Sequence, residues 1–406
     1  MRGFTRLIKL DNALRIVLSR VRRVCSETAR FDRALGRVLA EDVASKVDVP
    51  PFDRSAVDGY AVCAVDTFGA SQRRPARLRV VGSIKIGSPT KLRVQKGDAA
   101  KIMTGAPMPR GADAVVMVEH TRVKGRQLEV FKPLTQGKND SMRGEDVRKG
   151  EVVLKRGHQL RPPDIGMLAS TGHLQVRVAR KPRVAILATG GELRKPGERL
   201  KGAQITDVNS YSLAAAVARC GGLPGRLGIV TDRLKSIRQA LLRARSYDAT
   251  IISAGSSVGE RDLVPNAIGE VGKILFHGVA IRPGAPTAFG IVEGKPVFAL
   301  AGFPVSSLVG FDLLVRPALR AMQGLPPNRG YPRVRAKLAR KVSSAPGRAR
   351  VLRVGLREER GGLLAEPIQI SGSSMLSTIT SADGFVIVPE DAGNLRAGTV
   401  VEVELY

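Results

Sequence analysis

Three rhythms of apolar and polar positions succeed one another along the chain. Near the N-terminus Ala13-Leu14 and Ile16-Val17-Leu18 recur at helical spacing between arginines, which predicts an amphipathic helix. Residues 1–50 read as mostly helical, through 34–43, until Pro50-Pro51 ends regular structure. Between 60 and 155 the apolar runs are short and alternating, as at 78–81, 114–118 and 127–130, with Gly and Pro turns between them. That pattern predicts a small β-rich domain. Arg161-Pro162-Pro163-Asp164 then starts a helix with a carboxylate in its first turn. This helix returns the chain to the first helical part, so the β-rich segment is an insertion.

From Lys181 strands alternate with helices. Strands are predicted at 183–188, 227–230, 249–252, 273–276 and 296–300, and helices over 211–220 and up to Arg245. Gly221-Gly222 ends the first of those helices. Such alternation is the signature of a doubly wound parallel sheet. Four of the strands run into Thr/Ser/Gly/Asp loops: Thr189-Gly190-Gly191-Glu192, Thr231-Asp232, Ser253-Ala254-Gly255-Ser256-Ser257-Val258-Gly259 and Ala301-Gly302-Phe303-Pro304. In a parallel sheet these loops share the carboxyl edge, where ligands bind. Their backbone N–H groups and hydroxyls suit a phosphate. After Gly324-Leu325-Pro326-Pro327 period-two alternation returns at 333–340, and residues 329–406 read as a small antiparallel β domain.

Composition sharpens this picture. Lys and Arg number 66 against 36 Asp and Glu, a formal net charge of +30, which favours an anionic partner. The basic residues are spread along the whole chain, there is no Trp, and no nucleic-acid module is visible, so a nucleic-acid surface is disfavoured. The three cysteines, Cys25, Cys63 and Cys220, lie far apart and imply neither a disulfide framework nor a zinc ribbon. The four isolated histidines exclude a His-based metal cluster, leaving a hard cation held by carboxylates. The N-terminus lacks the apolar core of a signal peptide. The most apolar window, 297–315, is interrupted by Pro304, serines and Asp312, so no membrane span is expected and a cytoplasmic location is.

Candidate chemistry falls on polar turns. In 51–62, Asp53 and Asp58 flank a small-residue turn, with Asp58-Gly59 preceding a Tyr-Ala-Val strand. Thr104 sits at a strand end before a tight turn, and the loop 139–146 concentrates three carboxylates, an amide and Arg143. Each is equally a turn former or a solvated loop when taken alone.

Taken together, PPFDRSAVDGYAV, KIMTGAPMP, GADAVV, RGEDV, ATGGEL, DVNSYSL, SAGSSVGERD, IRPGAPTAFG, AGFPVSSLVGF and GSSMLSTI occur in an order that resembles the molybdopterin molybdenumtransferase family, the MoeA type found also as the C-terminal part of gephyrin. The resemblance covers essentially the whole chain. It implies a multidomain α/β plus β protein: a segmented helical domain (1–50 and 147–180), an inserted β-rich domain (51–146), a three-layer molybdopterin-binding α/β domain with a parallel-type sheet (181–326) and a C-terminal small β barrel (327–406). It further implies an elongated subunit that forms a homodimer, with the site between the α/β domain of one subunit and the inserted domain of the other. The implied reaction inserts molybdate into adenylated molybdopterin and releases AMP, with magnesium. The molybdopterin adenylyltransferase and molybdoenzymes are the implied partners.

By motif match, Asp58, Glu192 and Asp262 would handle the metal or the attacking group, and Thr104, Arg143 and Asp146 would line the inserted-domain side. Asn209, Asp232, Ser253, Gly255, Ser257 and Gly259 would hold pterin and phosphate. Arg282, with Pro283 and Gly284, would take molybdate or a phosphate, since a guanidinium binds an oxyanion with two parallel hydrogen bonds. Gly302, Pro304 and Ser306 form the same rim, and Arg353 and Ser373 carry over from the C-terminal domain. The chain also departs from the family pattern. Gly191 replaces an acidic residue, Arg282 a lysine, Ala285 a second lysine, Phe303 and Arg54 asparagines, and Ala254 a glycine. These departures keep open a second reading, a divergent molybdopterin-binding carrier that turns over poorly.

Overall fold

The β-branched run that follows Asp248 does form a buried strand, and it lies inside a six-stranded sheet. In the computed structural model, residues 7–255, 263–344, 346–359, 361–368 and 372–406 are described. They divide into two compact units, one of Met1–Glu27, Gly36–Ala40 and Val178–Tyr406, the other of Thr28–Leu35 and Glu41–Arg177.

In the first unit, chain order runs β1 (Arg183–Thr189), α1 (Asn209–Arg219), β2 (Leu223–Val230), α2 (Leu234–Arg243), β3 (Ala249–Ala254), α3 (Leu263–Val271), β4 (Gly272–His277), β5 (Ile281–Arg282), β6 (Ala288–Val292), β7 (Lys295–Ala301) and α4 (Pro304–Gly310). The sheet order is β2-β1-β3-β7-β6-β4. The first four strands are parallel, as alternation with helices requires. The expected all-parallel pattern stops there, because β6 pairs antiparallel with both β7 and β4. Glu293-Gly294, both with positive φ, close the β6–β7 hairpin, so no crossover helix intervenes. The apolar runs of β1, β3 and β7 are buried on both faces, and in the core the Phe298 ring of β7 lies 5.0 Å, centre to centre, from the Phe289 ring of β6. Asp248 anchors the start of β3: its carboxylate accepts from Arg180 Nη2 at 2.8 Å and from the backbone N–H of Arg183 at 2.7 Å.

The C-terminal strands are β8 (Arg333–Leu338), β9 (Ala349–Glu359), β10 (Gly362–Pro367), β11 (Gly384–Val388) and β12 (Val400–Leu405). They close into a five-stranded barrel in the order β9-β10-β8-β12-β11, with β11 returning to β9. Closure removes the free edges that alternating strands would otherwise expose. The two-residue β5 adds to this barrel, parallel to β9. Phe385 of the barrel, Tyr331 and Tyr406 form an aromatic cluster continuous with the core of the α/β sheet.

The N-terminal amphipathic helix is present at Leu10–Arg20, with Ala13 and Val17 buried in that same core. The remainder of residues 1–50 is less helical than its pattern predicts. Residues 34–43 form no helix: Gly36 adopts φ 75°, and Ala34, Val38, Leu39 and Val43 are buried from an extended, irregular backbone instead. The second unit contains a six-stranded sheet of strands Gly59–Val62, Ala76–Ile84, Asp98–Ile102, Ala114–Met117, Thr121–Lys124 and Gln127–Val130. It also holds the proline-started helix Pro162–Ser170, whose Asp164 accepts from the Arg161 backbone at 2.7 Å.

Candidate functional site: two cavities at one sheet edge

The carboxyl ends of β1, β3 and β7 meet where side chains are small. Gly302 follows β7, and a Cβ there would lie 2.8 Å from the Ala254 carbonyl oxygen and 3.0 Å from Gly255 Cα. Only glycine permits this approach of two strand ends. Across the gap stands Asn209, the first residue of α1. Asp207 fixes that helix start by accepting from Ser210 N–H at 3.0 Å. The Asn209 amide donates to Ser253 Oγ at 2.7 Å and to the Gly302 carbonyl at 2.6 Å. Its own Oδ1 has no partner, although the residue is only 7% exposed. An unsatisfied buried acceptor of this kind asks for a ligand donor.

Asn209 lines a cavity of about 320 Å³ with Thr189, Glu192, Asp207, Ser253, Gly255, Gly302 and Pro304. Glu192 is exposed, and its carboxylate folds toward Gly190. Asp232, expected to hold ligand, accepts from the backbone N–H of Gly191 at 3.3 Å. Ser257, Gly259 and Asp262 lie outside the described residues.

A second cavity of about 640 Å³ adjoins the first on the other side of Phe303, which lines both. It brings together Arg282, Pro283, Gly284, Ser306, Arg353 and Ser373, all singled out from the sequence, and adds Arg348 and Arg350. Gly284 has φ 104°, and a Cβ there would press on Ile281 and the Ser306 carbonyl, so this turn requires glycine. Thr287 Oγ1 donates to the Gly284 carbonyl at 2.7 Å, and Val305 N–H to the Ser373 carbonyl at 3.0 Å. Arg353 is 8% exposed, with its Nε lacking a partner. Burial pulls its pKa below the usual arginine value. No carboxylate lines this cavity among the described residues.

In the second unit the segment 53–58 ties two loops together. Ser55 N–H donates to the Ala106 carbonyl at 3.0 Å, and Arg54–Ser55 pairs with Asp140–Ser141. Asp58 accepts from the Thr104 backbone N–H at 2.7 Å and from its hydroxyl at 3.1 Å. Those bonds hold the Asp58 carboxyl below the usual carboxylate range. Arg143 is oriented by Asp48, at 2.6 Å from its Nε, and by Asp53, at 2.7 Å from its backbone N–H. Asp146 is exposed, with its backbone N–H bonded to the Val49 carbonyl. Asp48, Arg348 and Arg350 are not singled out by the sequence pattern. A strand written Arg348-Ala349-Arg350 signals two cations on one face, but not which face. Among the described residues, no three His, Cys, Asp or Glu converge as a metal cluster.

A cavity at the carboxyl edge of parallel strands, beside an arginine-lined one, is the form of an α/β protein that binds small anionic ligands. Comparison with known proteins narrows the class. The MoeA N-terminal region (domain I and II) matches residues 8–172, a probable molybdopterin binding domain 185–321, and the MoeA C-terminal region (domain IV) 335–406. A molybdopterin molybdenumtransferase of Staphylococcus epidermidis is 32% identical over 401 residues, covering 98% of this chain and 95% of that protein. The crystal structure of a molybdopterin biosynthesis protein, moeA, from Pyrococcus horikoshii superposes with a TM-score of 0.87 at 36% identity, over 99% of this chain and 100% of that one. A molybdenum cofactor biosynthesis protein from Pyrococcus furiosus superposes with a TM-score of 0.63 at 26% identity, over 99% and 100% of the two chains. The chain belongs to the MoeA family of molybdenum cofactor biosynthesis.

Proposed function

We propose that the protein is a molybdopterin molybdenumtransferase, taking adenylated molybdopterin and molybdate to molybdenum cofactor with release of AMP. The observation that carries this reading is the pairing of cavities of opposite character at one sheet edge. The Asn209 side suits the N–H groups of a pterin ring, with Ser253 and the Gly255 backbone beside it. The arginine side suits a dianionic oxyanion, which Arg282 can grip through two parallel hydrogen bonds while Arg353 adds charge. Bringing an oxyanion beside the phosphoanhydride, with the developing charge neutralised, is what its cleavage needs.

Magnesium fits the donor set. Glu192 is an exposed hard-oxygen donor on the pterin-side cavity, and magnesium commonly takes one or two carboxylates and completes its shell with substrate oxygens and water. By motif match, Asp262 would join Glu192 in holding the ion, which supplies charge neutralisation at the phosphates. In the second unit, Thr104 positions the Asp58 carboxylate for the part that motif match gives it, and Arg143 and Asp146 are exposed polar groups. The protein would act as a homodimer in the cytoplasm, receiving its substrate from the adenylyltransferase and passing cofactor to molybdoenzymes. Among the described residues, no helix is long and apolar enough to cross a membrane.

The test is AMP release from purified protein given adenylated molybdopterin and magnesium, with and without molybdate. Molybdate-dependent release that disappears in Asp58→Ala supports the transferase. Tight substrate binding with no AMP release overturns it in favour of the carrier reading, which Ala285, Gly191 and Phe303 motivate.

A further inference from the structure

We infer that Arg350 is a specificity-determining residue of the larger cavity, where it forms with Arg282 a two-guanidinium clamp for a divalent tetrahedral oxyanion and supplies the cation that Ala285 lacks. The inference rests on the oxyanion reading of that cavity and extends it to a residue of the barrel.

Register places the two cations together. β5 runs parallel to β9 with Ile281 opposite Ala349 and Arg282 opposite Arg350. Both arginines line the cavity, and so does the short side chain of Ala285. One end of the Arg350 guanidinium is tethered, with Nη1 donating to the Ser343 carbonyl. The tether fixes the group without neutralising it, and Arg282, Arg348, Arg350 and Arg353 form no ion pair among the described residues.

Arg282 and Arg348 are exposed, while Arg350 is half-buried and Arg353 buried; the two inner cations, gathered without a carboxylate, are costly unless an anion completes the site. Burial, and then the field of Arg282, pull the Arg350 pKa downward, as expected for a like-charged pair awaiting a counter-ion. The unpartnered Nε of the almost fully buried Arg353 is a second, independent sign that a ligand belongs here. A dianion gains about twice as much from each cation as a monoanion of the same shape, so a second cation widens the gap between them.

The test is equilibrium dialysis of the full-length protein with molybdate, and with perchlorate as a monovalent tetrahedral probe. Arg350→Gln is expected to weaken molybdate binding about ten- to a hundredfold, the loss of one charge-assisted contact, and to affect perchlorate much less. Arg350→Lys should keep part of the affinity, and adding Ala285→Lys to Arg350→Gln should restore most of it. Unchanged thermal midpoints would show that the variants fold. If Arg350→Gln binds molybdate like the parent while Arg282→Gln does not, the role of Arg350 is refuted and the oxyanion cavity survives. If the parent binds neither probe, or Arg282→Gln binds as the parent does, the oxyanion cavity itself falls, and the clamp with it.

Discussion

The two cavities share a sheet edge and one side chain, yet differ in almost every physical respect. The smaller is lined by an amide, hydroxyls and the carboxylates Glu192 and Asp207, and carries a buried acceptor with no donor. The larger is lined by four arginines and no carboxylate among the described residues. Phe303, 47% exposed, stands on the boundary. On the proposed reading one topological position would serve two ligands: acceptor groups from β3 and α1 would meet the N–H groups of a ring, and guanidiniums from β5 and β9 would meet an oxyanion. The barrel therefore contributes chemistry to the edge of the α/β sheet.

The sharpest way to break this contrast is to remove charge from the larger cavity. Arg282→Ala should lower molybdate-dependent AMP release about a hundred- to a thousandfold, the usual cost of losing one charge-stabilising donor. Affinity for the adenylated substrate, measured by fluorescence or calorimetry, should persist. The reciprocal change, Asn209→Ala, strips a donor from Ser253 Oγ and the Gly302 carbonyl. It should cost about 1–3 kcal/mol of stability in denaturant titrations and weaken the adenylated substrate about tenfold, with molybdate binding retained. Gly302→Ala tests the floor of the smaller cavity. The new methyl meets the Ala254 carbonyl at 2.8 Å, so a loss of about 1–3 kcal/mol and a lower thermal midpoint are expected.

The smallest effect is expected away from both cavities. In the second unit, burial, and then the charges of Asp53, Glu145 and Asp113, push the Asp140 carboxyl up to about 6. A carboxyl whose folded pKa is raised favours the fold while protonated. Its contribution is fully present below about pH 4, the unfolded value, and is lost as pH rises through about 6. Asp140→Asn should therefore raise the thermal midpoint above pH 6, change it little below pH 4, and leave both ligand affinities intact.

Much of this architecture is legible in the sequence because strands, and the loops that follow them, leave local marks. The runs at 183–188, 249–252 and 296–300 became β1, β3 and β7, and the loops after them supply Glu192, Ser253, Gly255, Gly302 and Ser306 to the cavities. Non-local pairing left no such mark. The strand Ala288–Val292 is hidden behind a Pro/Gly turn, and its antiparallel pairing makes the sheet mixed. Arg350 reads as one basic residue among many until β5 and β9 pair and bring it opposite Arg282. The helical pattern over 34–43 failed for another reason: Ala34, Val38, Leu39 and Val43 are buried as a helical face would be, but Gly36 at φ 75° breaks the backbone between them.

A crossed binding experiment tests the division of labour between the two cavities most directly. Adenylated molybdopterin and molybdate would each be titrated separately into the parent, Asn209→Ala and Arg282→Ala proteins. The predicted result is a clean exchange: Asn209→Ala loses affinity for the adenylated substrate alone, and Arg282→Ala for molybdate alone. If both variants lose both ligands in equal measure, the two cavities are one site and the division of labour between them is wrong.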